Sequence, residues 1–236
     1  EMCIRDRMYN IQHTVTPNDG MLEVKLECIR PDMEIHYTTD GSEPTATSPL
    51  YEKIVPVKEA LTLKGATFAY GRQMGKTLIL PVRWNLATAK PVLGTNPTEK
   101  LLTNGIRGSL KYSDFEWCSW ADNDSVSFTI DLLKPEMLNT LTLGCITNNG
   151  MAIHKPASVR VEVSDDNSKF REAVVQSFTS EEIFREGNFI ENLSLKLGGT
   201  QARYVRVTAK GPGVCPASHV RPGQTSRIFF DEVMLE

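Results

Sequence analysis

The chain has 236 residues, of which 40% are hydrophobic and 23% are charged, and its formal net charge is −3. This length is generous for one minimal domain and sufficient for two, each with its own hydrophobic core. The slightly negative charge gives no electrostatic reason to expect a nucleic-acid partner. No apolar run approaches the roughly 20 residues of a transmembrane helix. The chain as given also shows no apolar segment typical of a signal peptide.

The first third of the chain carries a β pattern after a short lead-in. Residues 1–8 show no period-2 alternation and are expected to lie outside the fold. Leu22, Val24 and Leu26 alternate with charged residues, which is typical of a half-buried strand. Turn residues such as Asp40-Gly41 separate further expected strands. These expected strands are residues 33–39, 54–57, 61–70 and 77–84. Residues 9–86 are therefore predicted to form a small antiparallel β-sandwich.

The remaining two-thirds is predicted to be a larger β domain. Residues 87–96 contain Pro91 and a glycine and are expected to link and lead into this domain, residues 97–236. One helical turn capped by Ser180 is expected, and residues 212–224 form a long irregular loop of a kind that is often functional. Strands are expected at residues 125–131, 140–146, 158–164, 190–196, 203–209 and 228–235. The fold class is thus all-β, with two antiparallel β-sandwiches.

The cysteines give no metal-binding motif. Their spacing contains no C-x-x-C pair and no Cys/His zinc pattern. The odd number argues against a complete disulfide framework. Two interpretations remain open: a bridge between two of Cys118, Cys145 and Cys215, or buried free thiols that pack as small hydrophobic groups. The five cysteines are Cys3, Cys28, Cys118, Cys145 and Cys215.

Two stretches resemble known families. The run IHYTTDGSEPTATSPLY, residues 35–51, resembles the Ig-like domain that follows the catalytic barrel of bacterial β-N-acetylhexosaminidases. The second domain resembles the factor V/VIII type C, or discoidin-like, domain. The matching pieces are TNGIRGS at 103–109, the pair Trp117 and Trp120, FTIDL at 128–132, VRVEVSDDNSKF at 159–170, ARYVRVTAK at 202–210 and FFDEVMLE at 229–236.

The resemblance implies a fold and a function. The second domain should be an eight-stranded, galactose-binding-like jelly roll that binds glycans as carbohydrate-binding module family 32 does. The two domains in this order look like the C-terminal accessory region of a family 20 glycoside hydrolase from a Bacteroidetes-type bacterium. That likeness implies a secreted, periplasmic or outer-surface location and an upstream catalytic barrel as a partner in the same polypeptide.

The resemblance also implies a structural Ca²⁺ ion. Its oxygen ligands would match the carbonyl of Leu101 and the side chains of Asn104, Ser109 and Glu232. This sequence has Asn104 where the family usually has aspartate, so the site carries one negative charge fewer. The alternative is that Asn104-Gly105 is only a turn and that Glu232 anchors a loop.

A sugar site needs an aromatic platform beside a few fixed hydrogen-bonding groups. In the family these groups lie on loops at one end of the sandwich. The candidates that match this requirement are Tyr112, Phe115, Trp120, Asn148, Asn149, His154, His219 and Arg221. Trp117 is interpreted as a core residue. The expected ligands are terminal galactose, N-acetylgalactosamine or N-acetylglucosamine.

No catalytic residues are expected in this chain. A glycosidase needs two carboxylates held on either side of the scissile bond. The pairs Asp114/Glu116 and Asp122/Asp124 are interpreted as solvated loop charges, and Asp231-Glu232 lies in the terminal strand rather than in a barrel. The sequence therefore favours a non-catalytic glycan-binding fragment of a β-N-acetylhexosaminidase. The alternatives are a structural brace on the catalytic barrel and a free-standing adhesin module.

Overall fold

A computed structural model describes residues 8–120 and 125–236. The expectation for residues 1–7 and the acidic pair Asp122/Asp124 therefore lie outside the described residues. The described chain is all-β, as predicted, and divides into two compact units between Trp84 and Asn85. None of its described helices has the length and hydropathy that crossing a membrane requires.

The first unit contains two small antiparallel sheets. Its strands are β1 (Ile11–Asn18), β2 (Met21–Cys28), β3 (Glu34–Thr38), β4 (Val55–Val57), β5 (Leu61–Ala69), β6 (Arg72–Gln73) and β7 (Leu78–Val82). One sheet has the order β1-β2-β4, and in the other β5 pairs with β3, β6 and β7. A Cβ on Gly65 of β5 would touch Ile11 and Leu26 of the first sheet, so the two sheets pack face to face.

Local chemistry explains these strands. In β2, Leu22, Val24 and Leu26 are buried while Lys25 is exposed, which confirms the predicted alternation. The turn between β1 and β2 uses positive φ at Asp19-Gly20, a backbone region in which glycine and aspartate are tolerated.

The second unit is built on one long ribbon. Its strands are β8 (Val92–Leu93), β9 (Cys118–Trp120), β10 (Ser125–Asn148), β11 (Ser158–Ser164), β12 (Arg171–Ser177), β13 (Asn188–Lys210) and β14 (Ile228–Leu235). Short 3-10 turns span Glu99–Thr103 and Asn149–Met151, and the helix α1 spans Ser180–Ile183. β10 and β13 pair from end to end, with register shifts between Asp131 and Glu136 and between Leu138 and Thr140.

The two halves of this ribbon serve two layers. The early half of β10 pairs with β8 while the matching half of β13 pairs with β11, which continues to β12. The later half of β10 pairs instead with β14, which continues to β9. Phe128 and Ile130 from the early half share one buried cluster with Leu141 and Leu143 from the later half. The unit is therefore an antiparallel sandwich of the jelly-roll kind.

The last strand carries a β-bulge. Leu143 and Cys145 of β10 are two positions apart, but their partners Val233 and Phe230 on β14 are three apart. The additional residue lies at Asp231-Glu232. Phe230 and Val233 consequently both face the core, and both acidic side chains are completely buried. In a regular strand Phe230 and Val233, which are three positions apart, would point to opposite faces; the bulge turns both toward the same face.

The start of the second unit pairs with its last strand. The Leu86 amide donates to the Leu235 carbonyl at 3.1 Å, and the Leu235 amide donates to Asn85 Oδ1 at 3.1 Å. Residues 87–96, expected to link the two domains and lead into the second, lie within the second unit, where Val92 pairs with β10.

Other differences from the sequence prediction have physical causes. The expected strands 125–131 and 140–146 are one strand, because backbone pairing continues through the register shifts, and the same holds for 190–196 and 203–209. β12 was not predicted because its residues are mostly exposed at the edge of the sheet and show little alternation. The cap of α1 is Thr179 rather than Ser180, in a reciprocal capping box with Glu182.

A bidentate ion pair holds the bend of the ribbon. Both carboxylate oxygens of Asp131 accept hydrogen bonds from Arg203 at 2.8 Å, and one also accepts from the Leu133 amide. Leu133 has positive φ at the register shift. The pairing with Arg203 lowers the pKa of Asp131 from its ordinary value.

Asp131→Asn is expected to lower the free energy of unfolding by about 1–2 kcal/mol near pH 7, because Arg203 loses its charged partner. The loss is limited because Arg203 is partly exposed to solvent. The lowered pKa means that the carboxylate stabilises the fold above its ordinary pKa and that this stabilisation is lost as the pH falls through the lowered value. The urea unfolding midpoints of the two proteins should therefore begin to converge as the pH falls below about 4 and should meet only below the lowered pKa of Asp131.

Asp165→Asn is the matched control, because Asp165 is exposed and lies 3.7 Å from Arg171. It should change stability by less than about 0.5 kcal/mol. An equal effect of the two substitutions, or a difference for Asp131→Asn that persists unchanged into acid, would contradict the assigned role of Asp131.

Candidate functional site

Buried acids on the bulge of β14 hold the first loop of the second unit. Residues 104–117 are called the anchor loop here. Arg107 donates to Asp231 Oδ2 at 2.6 Å, and the Gly108 amide donates to the same oxygen at 3.0 Å. The Gly105 amide donates to both carboxylate oxygens of Glu232, at 3.1 and 3.3 Å. The start of the anchor loop is thus fixed to the last strand.

Burial dominates the electrostatics of this pair. It raises the pKa of Asp231, an effect that the Arg107 guanidinium opposes. Burial and the neighbouring Asp231 raise the pKa of Glu232 well above its ordinary value. The raised pKa values mean that burial disfavours the charged forms of these two adjacent carboxyl groups, and a cation bound beside them would favour the charged forms instead.

Glycines make room for this arrangement. A Cβ on Gly144, which lies opposite the bulge, would stand 1.9 Å from Asp231 Oδ1. A Cβ on Gly108 would stand 2.3 Å from the Trp117 ring. Trp117 is only 5% exposed and donates from its indole N–H to the Ser109 carbonyl at 3.1 Å, as its interpretation as a core residue requires.

The expected calcium ligands fit the ion in part. Asn104 and Glu232 are both buried and are joined through Gly105, which follows one and donates to the other. Asn104 Oδ1 accepts from the Ile106 amide while its Nδ2 donates to Glu116. Hard carbonyl, amide and carboxylate oxygens are the donors that Ca²⁺ prefers. The observation that favours a cation is the pair of adjacent, completely buried carboxyl groups of Asp231 and Glu232.

The other two expected ligands are less confined. Leu101 is half-buried at the 3-10 turn, and its carbonyl accepts the Asn104 amide at 3.4 Å. Ser109 is exposed, and its hydroxyl accepts from the Lys111 amide at 3.2 Å.

Four segments meet at one end of the second unit. Asn188 donates to the Leu110 carbonyl of the anchor loop, at 3.5 Å. Next to it, the Gly187 amide donates to Asn149 Oδ1 at 2.9 Å. Asn149 Nδ2 in turn lies 3.3 Å from His219 Nε2 in the long 213–227 loop. This loop end therefore joins residues 148–155, residues 184–188, the 213–227 loop and the anchor loop.

A small cleft of about 100 Å³ opens at this end. Its wall combines an aromatic ring, an amide, a carboxylate, a hydroxyl and an imidazole with two apolar side chains. The lining residues are Asn149, Phe184, Glu186, Pro216, Ser218, His219 and Val220. Such a mixture matches the apolar face and hydroxyl groups of a sugar, although the volume suits one ring partly inserted rather than a deeply enclosed ligand.

Among the predicted glycan residues, the cleft brings together Asn149 and His219. Arg221 lies close by, because its amide donates to His219 Nδ1 at 3.0 Å, and its side chain is exposed and donates to Gln224. His154 is fully buried with its ring 5.0 Å from that of His219, so it lies behind the cleft and offers no surface to a sugar.

The other predicted residues lie elsewhere. Asn148 caps the 3-10 turn at 149–151 by accepting the Met151 amide. Tyr112 packs edge-on against Phe229, and Trp120 packs against the core, stacked on Phe128. Phe115 is 88% exposed, with positive φ, on the anchor loop.

Phe184, Glu186 and Ser218 were not among the residues predicted from sequence to bind a glycan. Phe184 and Glu186 lie within the helical turn expected at residues 180–186 but follow the observed helix, which ends at Ile183, and Ser218 falls in the loop predicted to be functional. The length of that loop was the feature of the sequence that could indicate a site there. The convergence of three separate loops is a tertiary contact, which periodicity does not encode.

The described cysteines are free thiols: Cys28, Cys118, Cys145 and Cys215. This confirms the second interpretation given above for the three that are buried. Burial raises the pKa of the Cys118 thiol to about 12 and also raises that of Cys145, so both are neutral packing groups at neutral pH.

Family models match both units. Residues 17–78 match the Chitobiase/beta-hexosaminidase C-terminal domain, and residues 87–220 match the F5/8 type C domain. The second match spans more than half of the chain, and the chain belongs to the F5/8 type C domain family. It carries two accessory domains of the kind found in glycoside hydrolases, the second of which is of the carbohydrate-binding type. No curated protein matches the sequence.

Several solved structures are similar to the chain at low identity. CpGH89CBM32-6 from Clostridium perfringens is 18% identical, with a TM-score of 0.42, and the match covers 65% of this chain and 98% of that one. The fucose binding module SpX-3 of Streptococcus pneumoniae is 17% identical, with a TM-score of 0.40 and coverages of 65% and 97%. The C-terminal domain of a Bacteroides fragilis chitobiase is 16% identical, with a TM-score of 0.33 and coverages of 56% and 76%.

Gly144→Ala is expected to destabilise the second unit by about 3 kcal/mol, because the methyl group would displace the buried Asp231 carboxylate from Arg107. Chemical unfolding followed by tryptophan fluorescence measures this change. The control is Gly150→Ala, where the nearest atom to the new Cβ, Asn148 Oδ1, is 3.4 Å away. Equal stabilities of the two variants would contradict the packing described for the bulge.

Proposed function

We propose that this chain is the glycan-binding accessory region of a secreted or periplasmic bacterial β-N-acetylhexosaminidase. In this proposal the second unit holds terminal sugars of a glycan while a catalytic barrel elsewhere in the same polypeptide removes terminal N-acetylhexosamine. The observation that carries the proposal is the loop-end cleft lined by Phe184, Glu186 and Ser218.

The chemistry of the cleft suits a hexose. The face of Phe184 can pack against the C–H groups of the ring. Glu186 and Ser218 can accept hydrogen bonds from sugar hydroxyls, and the Asn149 amide can donate to them. An N-acetyl group would place its methyl against apolar side chains such as Val220, which is 68% exposed.

The order of the two family matches supports the hexosaminidase assignment, because the first is the C-terminal domain of chitobiases and β-hexosaminidases. A shallow site should bind weakly, at about millimolar to high micromolar Kd, or roughly −4 to −6 kcal/mol. Weak binding is sufficient in a tethered module, since attachment raises the local concentration of substrate at the catalytic domain.

A structural brace on the catalytic barrel is the second candidate. It is favoured by apolar side chains that the first unit leaves exposed and that a neighbouring domain would cover. These are Ile29, Leu50, Ile54, Tyr70, Met74 and Ile79. A free-standing adhesin would use the same loop-end cleft without the enzyme.

Titration with galactose, N-acetylgalactosamine and N-acetylglucosamine, followed by NMR, tests the glycan site. We expect shifts at the cleft with at least one sugar, and about five- to tenfold weaker binding for Glu186→Ala, because a charged hydrogen-bond acceptor is lost. Glu181→Ala is the control, since Glu181 is exposed nearby on α1 but does not line the cleft.

Two outcomes would overturn this assignment. No shifts with any sugar at tens of millimolar would remove the glycan proposal for these ligands and favour the brace. Loss of binding in Phe115→Ala, with Glu186→Ala unaffected, would move the site from the cleft to the exposed ring of the anchor loop.

We also propose that Ca²⁺ binds between the anchor loop and β14, held by Asn104 and Glu232 with the carbonyl of Leu101. The ion would neutralise the buried carboxylates and fix the loop. With Asn104 in place of a carboxylate, the affinity should be modest.

Glu232→Gln tests the calcium proposal. The wild-type melting temperature should rise with millimolar CaCl₂ and fall again with chelator, since a ligand that binds only the folded state stabilises it. The variant should lose this response while its stability without calcium stays within about 1 kcal/mol of the wild type, because the amide keeps one oxygen that can accept from the Gly105 amide and carries no buried charge. A wild type that does not respond to calcium, or a variant that responds fully, would contradict the proposal.

A further inference from the structure

A cluster of metal-binding side chains lies directly behind the cleft. His154, Cys215 and His219 each offer one ligand atom, and these atoms all lie within 4.8 Å of one another. His154 comes from the segment that follows β10, whereas Cys215 and His219 come from the 213–227 loop, four positions apart. All three are buried, at 0%, 3% and 8% exposure.

His154 has no hydrogen-bond partner for either ring nitrogen, although it is completely buried. Buried polar groups without a partner are rare and carry a free-energy penalty. Burial, together with the neighbouring His219, lowers the pKa of His154 to about 4. The Ile183 backbone acts to raise the pKa of His154, but it does not form a hydrogen bond with either ring nitrogen. The ring is therefore neutral at neutral pH, with a lone pair available.

His219 has both ring nitrogens facing donors. The Arg221 amide lies 3.0 Å from Nδ1, and Asn149 Nδ2 lies 3.3 Å from Nε2. A neutral imidazole accepts at only one nitrogen, so the two contacts cannot both be hydrogen bonds. Metal binding at either nitrogen would replace one of these contacts. Cys215 Sγ lies 3.3 Å from the Ser226 hydroxyl.

We propose that His154, Cys215 and His219 bind one Zn²⁺ ion. Two imidazoles and a thiolate are the donors that zinc prefers. Zinc–ligand bonds of about 2.0–2.3 Å in tetrahedral geometry place the ligand atoms roughly 3.3–3.8 Å apart, so a contraction on the order of 1 Å brings the three side chains into bonding positions. A solvent water would take the fourth position. The Cys215 thiol loses its proton to solvent when the ion binds.

The ion would cross-link the 213–227 loop to the body of the sandwich. Phe184 shields this position, with its ring 5.1 Å from His154 and 6.1 Å from His219. Since Phe184 and His219 also line the cleft, the metal would fix the floor of that cleft. Zinc binding at this position does not depend on glycan binding, because the metal site is defined by its own side chains.

Zinc titration of the full chain, dialysed free of metal under reducing conditions, tests the site. Calorimetry should show one equivalent bound with submicromolar affinity. Co²⁺ in place of zinc should give a tetrahedral visible spectrum with a thiolate charge-transfer band. X-ray absorption of the zinc-loaded protein should show sulfur at about 2.3 Å and nitrogen at about 2.0 Å, a readout that requires no variant.

Cys215→Ala and His154→Gln should each weaken zinc binding by at least about a hundredfold, as loss of one protein ligand implies. Cys118→Ala is the matched control, a buried thiol outside the cluster, and should bind as the wild type does. Glu232→Gln should also retain zinc binding, which separates this site from the calcium site. No stoichiometric zinc, no sulfur in the absorption spectrum, or unchanged affinity in Cys215→Ala would overturn the proposal.

Discussion

The buried carboxylates of Asp231 and Glu232 are the constraint on which the second unit depends. Their side chains reach the anchor loop only because a bulge inserts one residue into β14, opposite Gly144. Arg107 and two backbone amides of the loop then become the partners that such buried acids require. The position of the anchor loop is therefore set by polar contacts with these two acids. The remainder of the unit is held by apolar packing around the β10–β13 ribbon.

The 213–227 loop is held differently from the anchor loop. This segment is long and crosses the loop end with few apolar anchors, since Val214 and Val220 are both exposed. Its inward-facing groups are instead Cys215 and His219, which meet His154 from the neighbouring segment. Outward-facing groups of the same segment line the cleft. The loop end therefore has an inner layer of nitrogen and sulfur donors and an outer layer of oxygen donors and one aromatic ring, which favour different ligands.

Most of the fold could be predicted from alternation and turn chemistry. β11 and β14 were predicted with their observed limits, because Val159, Val161 and Val163 alternate cleanly and the last strand is strongly apolar. The bulge within β14 could not be predicted, since Asp231-Glu232 looks like an ordinary polar interruption until its partner strand is known. The site was predicted less completely for a related reason: His154 and Cys215 are 61 positions apart in sequence, and only the tertiary fold makes them neighbours.

Asn85 and Leu86 form hydrogen bonds with Leu235, so the first residues of the second unit lie next to its last strand. A sandwich with such neighbouring ends can be inserted between other segments of a polypeptide, or removed, with little displacement of what flanks it. The unit is therefore suited to modular exchange, and joining its two ends through a short peptide while opening it at an exposed turn such as residues 165–167 should preserve its topology. The loops that form the cleft would then be carried as a self-contained cassette.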